Sequence, residues 1–243
     1  AVLALAVVAA FAALFLGVAV VSVFAALAAV LLITTDLAPV HAAGILAVLA
    51  VVLGAFVPSL AFRMSGMRMP PLPTNAQQLQ EGIEPHATSV VAARAILADG
   101  WMTSLYGAVG VVGAGCLVTL ARERELAEII MTVALSLLLI LHARGLGNIW
   151  QRMSLVVPGV AGLLLLVLVA APAASPGYRL VTAAGLLAAT AALAIAAWTV
   201  PGRRLVPYWG RAGELLHSAL AVSVLPLALW VLGVYSTLRS ING

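Results

Sequence analysis

Residues 1–33 read AVLALAVVAAFAALFLGVAVVSVFAALAAVLLI, an almost uninterrupted apolar stretch, and similar stretches recur along all 243 residues. Seven apolar runs are present, at residues 1–33, 40–61, 101–120, 127–143, 153–171, 179–200 and 213–236. An α-helix needs roughly 20 apolar residues to cross the hydrocarbon core of a bilayer. The pattern therefore predicts an all-α, polytopic transmembrane helical bundle with about seven to eight spans.

Charged residues are rare and lie at the edges of the apolar runs. They make up 8% of the chain against 64% hydrophobic residues, which is too few to solvate a water-soluble fold of this length. No Asp, Glu, Arg or His lies in the middle of a run. Ion-coupled transporters and intramembrane acid–base or metal enzymes need such groups at membrane depth. We therefore expect a buried interior without ionic machinery.

The first run is longer than one span requires. As a single helix it would extend about 50 Å, whereas the hydrocarbon core is roughly 30 Å thick. It is either one long tilted helix or the end of one span that turns near Phe15 and Gly17 into the next, and we favour the second interpretation. Because the chain begins at Ala1 inside this run, we expect a fragment that lacks its N-terminus. A signal peptide is excluded by the length of the run and the missing basic segment.

The expected domain division is transmembrane helices at 1–61, a loop at 62–99 and five transmembrane helices at 100–243. Within the loop, the MPPLP sequence at 69–73 predicts an extended segment. Residues 85–98 predict a short amphipathic surface helix that begins at Pro85 and is ended by Gly100.

Arginine counts predict the orientation. Eight arginines lie on the side of the 62–99 loop and four on the opposite side. Because cytoplasmic loops are enriched in basic residues, the large loop is predicted to be cytoplasmic and the C-terminus periplasmic. The first group comprises Arg63, Arg68, Arg94, Arg144, Arg152, Arg203, Arg204 and Arg211, and the second comprises Arg122, Arg124, Arg179 and Arg239.

Small residues and one proline suggest helix-packing features. The candidates for close helix packing are Gly107, Gly110, Gly113 and Ala114. They suit either a contact between subunits or ordinary packing within the chain, and we favour the latter. Pro226 interrupts the last run, where a static kink is favoured over a hinge.

Catalytic signatures are absent from the sequence. There is no lysine, no H-E-x-x-H motif and no phosphate-binding glycine loop. A single cysteine excludes an intrachain disulfide. We expect no enzyme activity, no cofactor, no metal and no nucleic-acid partner. The four histidines, His41, His86, His142 and His217, lie in separate connections or helix ends, which disfavours a shared metal site.

Two further polar features have simple interpretations. Arg211, Glu214 and His217 share one helix face, for which a local ion pair beside an interfacial histidine is favoured over a proton relay. Residues 145–148, GLGN, are interpreted as a turn.

Three sequence blocks resemble a known family. They are PSLAFRMSGMRMPPLPT at 58–74, HATSVVAARAILADG at 86–100 and PYWGRAGELLHSALAVSVLPLALWVLGVYSTLRSING at 207–243. Together they resemble the EccD family, the multi-spanning inner-membrane component of type VII (ESX) secretion systems of mycobacteria and related actinobacteria. The resemblance extends over the whole chain.

The resemblance implies a role without catalytic residues. Family members carry a cytoplasmic ubiquitin-like domain before about eleven spans. In the family, two copies enclose a lipid-filled membrane cavity and assemble with EccB, EccE and the ATPase EccC. This implies a scaffold for protein export in the bacterial inner membrane, in contact with membrane lipids. The candidate partner-contact residues are Arg63, Arg68, Pro70, Pro71, Pro73, Arg94, Arg144, Arg152, Arg203, Arg204 and Arg211.

An alternative from another class is a self-sufficient transporter or flippase for a lipid or small molecule. It requires a polar substrate site near the membrane midplane, usually at a broken helix. We take Pro226 as the mid-run interruption that could provide it.

Overall fold

The computed structural model describes residues 2–67, 88–173, 175–199 and 207–242. Within these ranges, side chains are described except at 2–10, 173, 189, 192–199, 207, 209 and 242. The described residues form eight α-helices and one short 3-10 helix. In chain order these are α1 (Val2–Thr34), α2 (Pro39–Met64), α3 (Thr88–Leu120), α4 (Leu126–Ala143), α5 (Ile149–Ala170), the 3-10 helix Ala171–Ala173, α6 (Pro176–Thr199), α7 (Pro207–Val231) and α8 (Val234–Asn242).

The predicted all-α polytopic bundle is confirmed. Each apolar run corresponds to one of the seven long helices α1 to α7. Within the described residues, six of them are long and apolar enough to cross a membrane: α1, α2, α3, α4, α5 and α7. The chain is therefore a multi-pass membrane protein. Helix α6 has 24 residues, and its side chains are described only in part.

The first run forms one helix, so the favoured interpretation of a turn near Phe15 and Gly17 is wrong. A glycine within a helix costs only about 1 kcal/mol relative to alanine. Here Gly17 allows α1 to approach α3, since a Cβ at this position would lie 3.1 Å from the carbonyl oxygen of Ser104. The Ser104 hydroxyl donates a hydrogen bond to the carbonyl of Ala13 in α1. Contacts with α3 thus favour a continuous helix.

Gly100 does not end a helix, contrary to the prediction. Helix α3 runs through it from Thr88 to Leu120, so the expected boundary between residues 99 and 100 falls inside a continuous helix. A Cβ at Gly100 would lie 3.8 Å from the Cβ of Ala13, which places this glycine against α1. Packing and the helix-forming neighbours on both sides outweigh its weak helix propensity. Pro85 and residues 69–73 lie outside the described residues.

The last apolar run ends earlier than residue 236. Helix α7 stops at Val231, and Gly233 adopts a φ of +70° before α8 begins at Val234. Glycine populates this left-handed region without the steric penalty of a side chain, and it commonly terminates helices. Upstream, α7 continues through Pro226.

Helix α3 lies at the centre of the bundle. It packs against α1, α2, α4 and α5, while α7 packs against α2 and α4. The largest fully buried apolar side chains are Tyr106, Leu117, Leu120, Met131, Leu135, Leu155, Val57 and Val224. They come from α2, α3, α4, α5 and α7, so these five helices share one core.

The closest approach of α3 and α5 occurs at Gly110. The carbonyl oxygen of Ser154 in α5 occupies the space that a Cβ at Gly110 would fill. Pro158 lies within α5 and has no N–H, so the Ser154 carbonyl lacks its usual helical partner four residues later. The hydrogen that glycine carries in place of Cβ points at this oxygen, which permits a weak Cα–H···O contact. Glycine and proline thus act together at this crossing.

The other packing candidates differ in their surroundings. A Cβ at Gly113 would lie 3.2 Å from Leu139 Cδ1 of α4, whereas one at Gly107 would meet nothing within 4 Å. Ala114 is half-buried. Gly110 and Gly113 therefore lie at crossings within the chain, and Gly107 does not.

Glu128 is an exception to the expected charge-free interior. It lies in the first turn of α4 and is only 7% exposed. The sequence places it at the edge of an apolar run, but the neighbouring helix ends cover it. The interior therefore contains one buried carboxyl group within the described residues.

Candidate functional site

A polar network joins α3 to the start of α5 at one end of the bundle. Helices α2 and α4 terminate at this end and α5 begins there, and we call it the loop-side end. The carboxylate of Asp99 accepts hydrogen bonds from Asn148 Nδ2 and from Gln151 Nε2, each at 2.8 Å. Gln151 is 2% exposed, and its Nε2 also lies 3.2 Å from Thr103 Oγ1. A buried amide needs such partners, because leaving it unpaired costs about 1–3 kcal/mol.

The GLGN segment does more than form a turn. Asn148 is the N-cap of α5, where its Oδ1 accepts a hydrogen bond from the backbone N–H of Trp150 at 2.9 Å. The same side chain donates to Asp99. One asparagine therefore starts α5 and attaches it to α3.

Two histidines and a tyrosine meet near the same end. His142 Nδ1 lies 3.1 Å from His217 Nε2, and His142 Nε2 lies 3.1 Å from the hydroxyl of Tyr106. The three rings belong to α4, α7 and α3 and connect these helices. The two histidines are separate in the sequence, as noted above, but the fold brings the C-terminal end of α4 next to the N-terminal half of α7. Arg211 and Glu214 are exposed and take no part in this cluster.

Metal binding at this cluster is not supported. No group of three or more His, Cys, Asp or Glu residues suited to a metal ion occurs in the described part of the chain. A structural zinc site needs four protein ligands and a catalytic one three. The histidines instead satisfy each other and Tyr106, which suits a structural role.

Three of the candidate partner-contact arginines bind carbonyls within the chain. Arg94 donates to the carbonyl of Gly66 at 3.1 Å, and Arg144 donates to that of Gly210 at 3.2 Å. Arg152 Nε donates to the carbonyl of Leu146 at 2.6 Å. These guanidinium groups therefore help to order the loop-side connections.

The remaining candidates are either exposed or outside the described residues. Arg63 and Arg211 are exposed at the loop-side end and are available to a partner. The candidates outside the described residues are Arg68, Pro70, Pro71, Pro73, Arg203 and Arg204.

Two helices leave much apolar surface uncovered. In α1, most residues from Phe11 to Thr34 are exposed, among them Phe15, Val23 and Ile33. Helix α6 makes no extensive contact with the other helices among the described residues, and its exposed side chains include Leu180, Val181 and Leu187. Such surfaces require lipid or another apolar partner in the membrane.

Sequence reasoning missed the Asp99 network and the His142–His217 contact. The partners are 49 and 75 residues apart, respectively, so no local motif marks them. The available signal was topological: when spans alternate in direction, the starts of every second span and the ends of the spans between them lie on the same side of the membrane. Polar residues at ends of apolar runs that lie on the same side of the membrane were therefore candidates for contact.

These features define a polytopic α-helical membrane protein whose core helices are joined by side-chain hydrogen bonds at one end. A family model described as the EccD-like transmembrane domain matches residues 1–241. The chain therefore belongs to the EccD family.

A solved structure has a similar fold. It is described as protomer 1 of the ESX-3 core complex, with a TM-score of 0.68 and 18% sequence identity. The match covers 93% of this chain and 52% of that chain, so this chain spans about half the length of that relative. No curated protein matches this sequence.

Proposed function

We propose that this chain is a noncatalytic scaffold and channel-wall subunit of a type VII secretion complex in the bacterial inner membrane. Family membership across residues 1–241 carries the proposal. The similar fold in a protomer of the ESX-3 core complex supports it. The physical basis is a bundle with a well-packed core and two helices, α1 and α6, that leave apolar surface uncovered.

The proposed contacts fall on different parts of the bundle. Helices α1 and α6 face membrane lipids and a second copy of the chain. The two copies together enclose a membrane cavity. The loop-side end faces EccB, EccE and the ATPase EccC. Arg63 and Arg211 are exposed there, and arginine suits contacts with carboxylates of a partner.

The alternative of a self-sufficient transporter has less support. It requires a polar midplane site at a broken helix, and α7 continues as a helix through Pro226. The observations therefore favour the subunit.

Co-purification tests the proposal. The tagged protein, expressed in its native host with all components present, is expected to purify with an ATPase in a large assembly. The double variant Arg63→Gln/Arg211→Gln is expected to recover several-fold less ATPase, because two exposed arginines at the loop-side end are lost. Arg122→Gln, an exposed arginine at the opposite end, is the matched control and is expected to leave recovery unchanged. Recovery of the wild-type chain as a lone monomer contradicts the proposal.

The orientation is tested by cysteine labelling. Native Cys116 is only 4% exposed, so an introduced cysteine is the accessible thiol. Arg122→Cys is expected to react with a membrane-impermeant maleimide added outside spheroplasts, and Gly147→Cys only after permeabilisation. Gly147 is exposed and a Cβ there would meet nothing within 4 Å. The reverse labelling pattern would place the large loop outside.

A further inference from the structure

A polar pocket of about 480 Å³ lies at the end of the bundle opposite the Asp99 network. It lies between the loop before α4, the first turn of α4, the start of α2, the end of α7 and helix α8. Its ionisable and aromatic lining residues are His41, Glu123, Glu125, Glu128, Arg239, Trp230 and Tyr235.

Glu128 is the unusual member of this lining. It is 7% exposed, and its Oε2 atom is fully buried with no hydrogen-bond partner. A buried carboxylate oxygen without a donor is costly. None of the described donors around the pocket forms a hydrogen bond with this oxygen.

The charge of the pocket favours a cation. Three carboxyl groups, the guanidinium of Arg239 and the imidazole of His41 line it. With the carboxyl groups and Arg239 ionised and His41 neutral, two formal negative charges are uncompensated. Arg239 also lines the pocket but forms no hydrogen bond with Glu128 Oε2. A cationic group that enters the pocket from outside the chain would offset these negative charges.

The lining residues of the pocket favour an organic cation over a metal ion. No group of three His, Cys, Asp or Glu residues suited to a metal is found where the chain is described. Trp230 and Tyr235 contribute aromatic rings to the pocket, and such rings attract ammonium and guanidinium groups. The hydroxyl of Tyr235 donates to the carbonyl of Pro226 at 3.2 Å, which holds its ring in place.

An apolar groove continues from this pocket along the membrane face. The groove has a volume of about 530 Å³ and lies between α4 and α7. Ile129 of α4 lines the groove next to the pocket. Trp230 and Tyr235 line both the groove and the Glu128 pocket. An apolar helix in the groove would therefore carry a residue at its end into the pocket.

We propose that the groove and the Glu128 pocket together bind a transmembrane helix of a partner polypeptide that carries an arginine or lysine at its outward-facing end. The apolar body of that helix packs between α4 and α7, and its cationic group binds Glu128. This inference rests on the proposed function only in that the helix belongs to another subunit.

Binding of a synthetic helix tests the inference with the purified chain in phosphatidylglycerol nanodiscs. The probe is a 23-residue leucine–alanine helix with one arginine at its outward end, and the control peptide has glutamine at that position. The arginine peptide is expected to bind the wild-type chain about tenfold more tightly than the glutamine peptide. Glu128→Gln, which preserves side-chain size, is expected to abolish this preference. Glu214→Gln, an exposed glutamate in α7 at the loop-side end, is expected to retain it.

Other occupants give different results. Equal binding of the two peptides, or no binding of either, overturns the inference. Loss of the preference on adding phosphatidylethanolamine assigns the site to a lipid ammonium group, and loss on adding Mg²⁺ or Ca²⁺ assigns it to a metal ion. Either result also overturns the inference. A chain that fails to co-purify with an ATPase but retains the peptide preference contradicts the proposed function alone.

Discussion

Gly110→Ala is expected to destabilise the bundle by about 1–3 kcal/mol, because the new methyl group overlaps the backbone of a neighbouring helix. The overlapping atom is the carbonyl oxygen of Ser154. Backbone cannot move aside as a flexible side chain can, so α5 has to shift away from α3. The shift would loosen the packing of Leu155, which is 1% exposed.

Gly107→Ala is the matched control in the same helix. A Cβ there would meet nothing within 4 Å, and alanine favours a helix over glycine by up to about 1 kcal/mol. This variant is expected to be as stable as the wild type or more so. Thermal unfolding of the two variants in detergent, followed by size-exclusion chromatography, measures both effects. Equal stability of the variants would contradict the close approach of α3 and α5.

Asp99→Ala is expected to have the second largest effect, a loss of about 1–3 kcal/mol of stability. The substitution removes both carboxylate acceptors of the network and leaves Asn148 Nδ2 without its partner on α3. Gln151 Nε2 keeps only the weaker contacts with Thr103 Oγ1 and the Asp99 carbonyl. The connection between α3 and the start of α5 is therefore weakened.

Asp36→Ala is the control, since it also removes a carboxylate but from an exposed connection at the opposite end. It is expected to change stability by less than about 0.5 kcal/mol. Asp99→Asn is expected to lie between the two, because an amide retains one oxygen acceptor. Thermal unfolding in detergent measures all three variants. An unfolding temperature of Asp99→Ala equal to that of Asp36→Ala would show that the network adds little.

The sequence predicted the helices well because membrane spans are long and apolar. Each run became one helix, with errors at the ends and at glycines. The turn near Gly17 and the stop at Gly100 were wrong for the same reason. Glycine allows a helix to break, but it also allows two helices to approach, and only the packing partner decides between these outcomes.

The polar contacts were harder to predict because they depend on which helices are neighbours. Asp99 appears in the sequence as a residue at the start of a span, and Glu128 as one at the edge of a run. Their surroundings come from α5 in the first case and from α2, α7 and α8 in the second. Apolar periodicity does not specify these neighbours, so the sequence predicted neither the network nor the buried carboxyl group.

The crossing of α3 and α5 also has an evolutionary consequence. Gly110 leaves room for the Ser154 carbonyl, and Pro158 leaves that carbonyl without its helical donor. A larger residue at position 110 would require α5 to move, and a residue with an N–H at position 158 would let the carbonyl return to its own helix. Positions 110 and 158 are therefore expected to covary among homologous sequences, although 48 residues separate them in this chain.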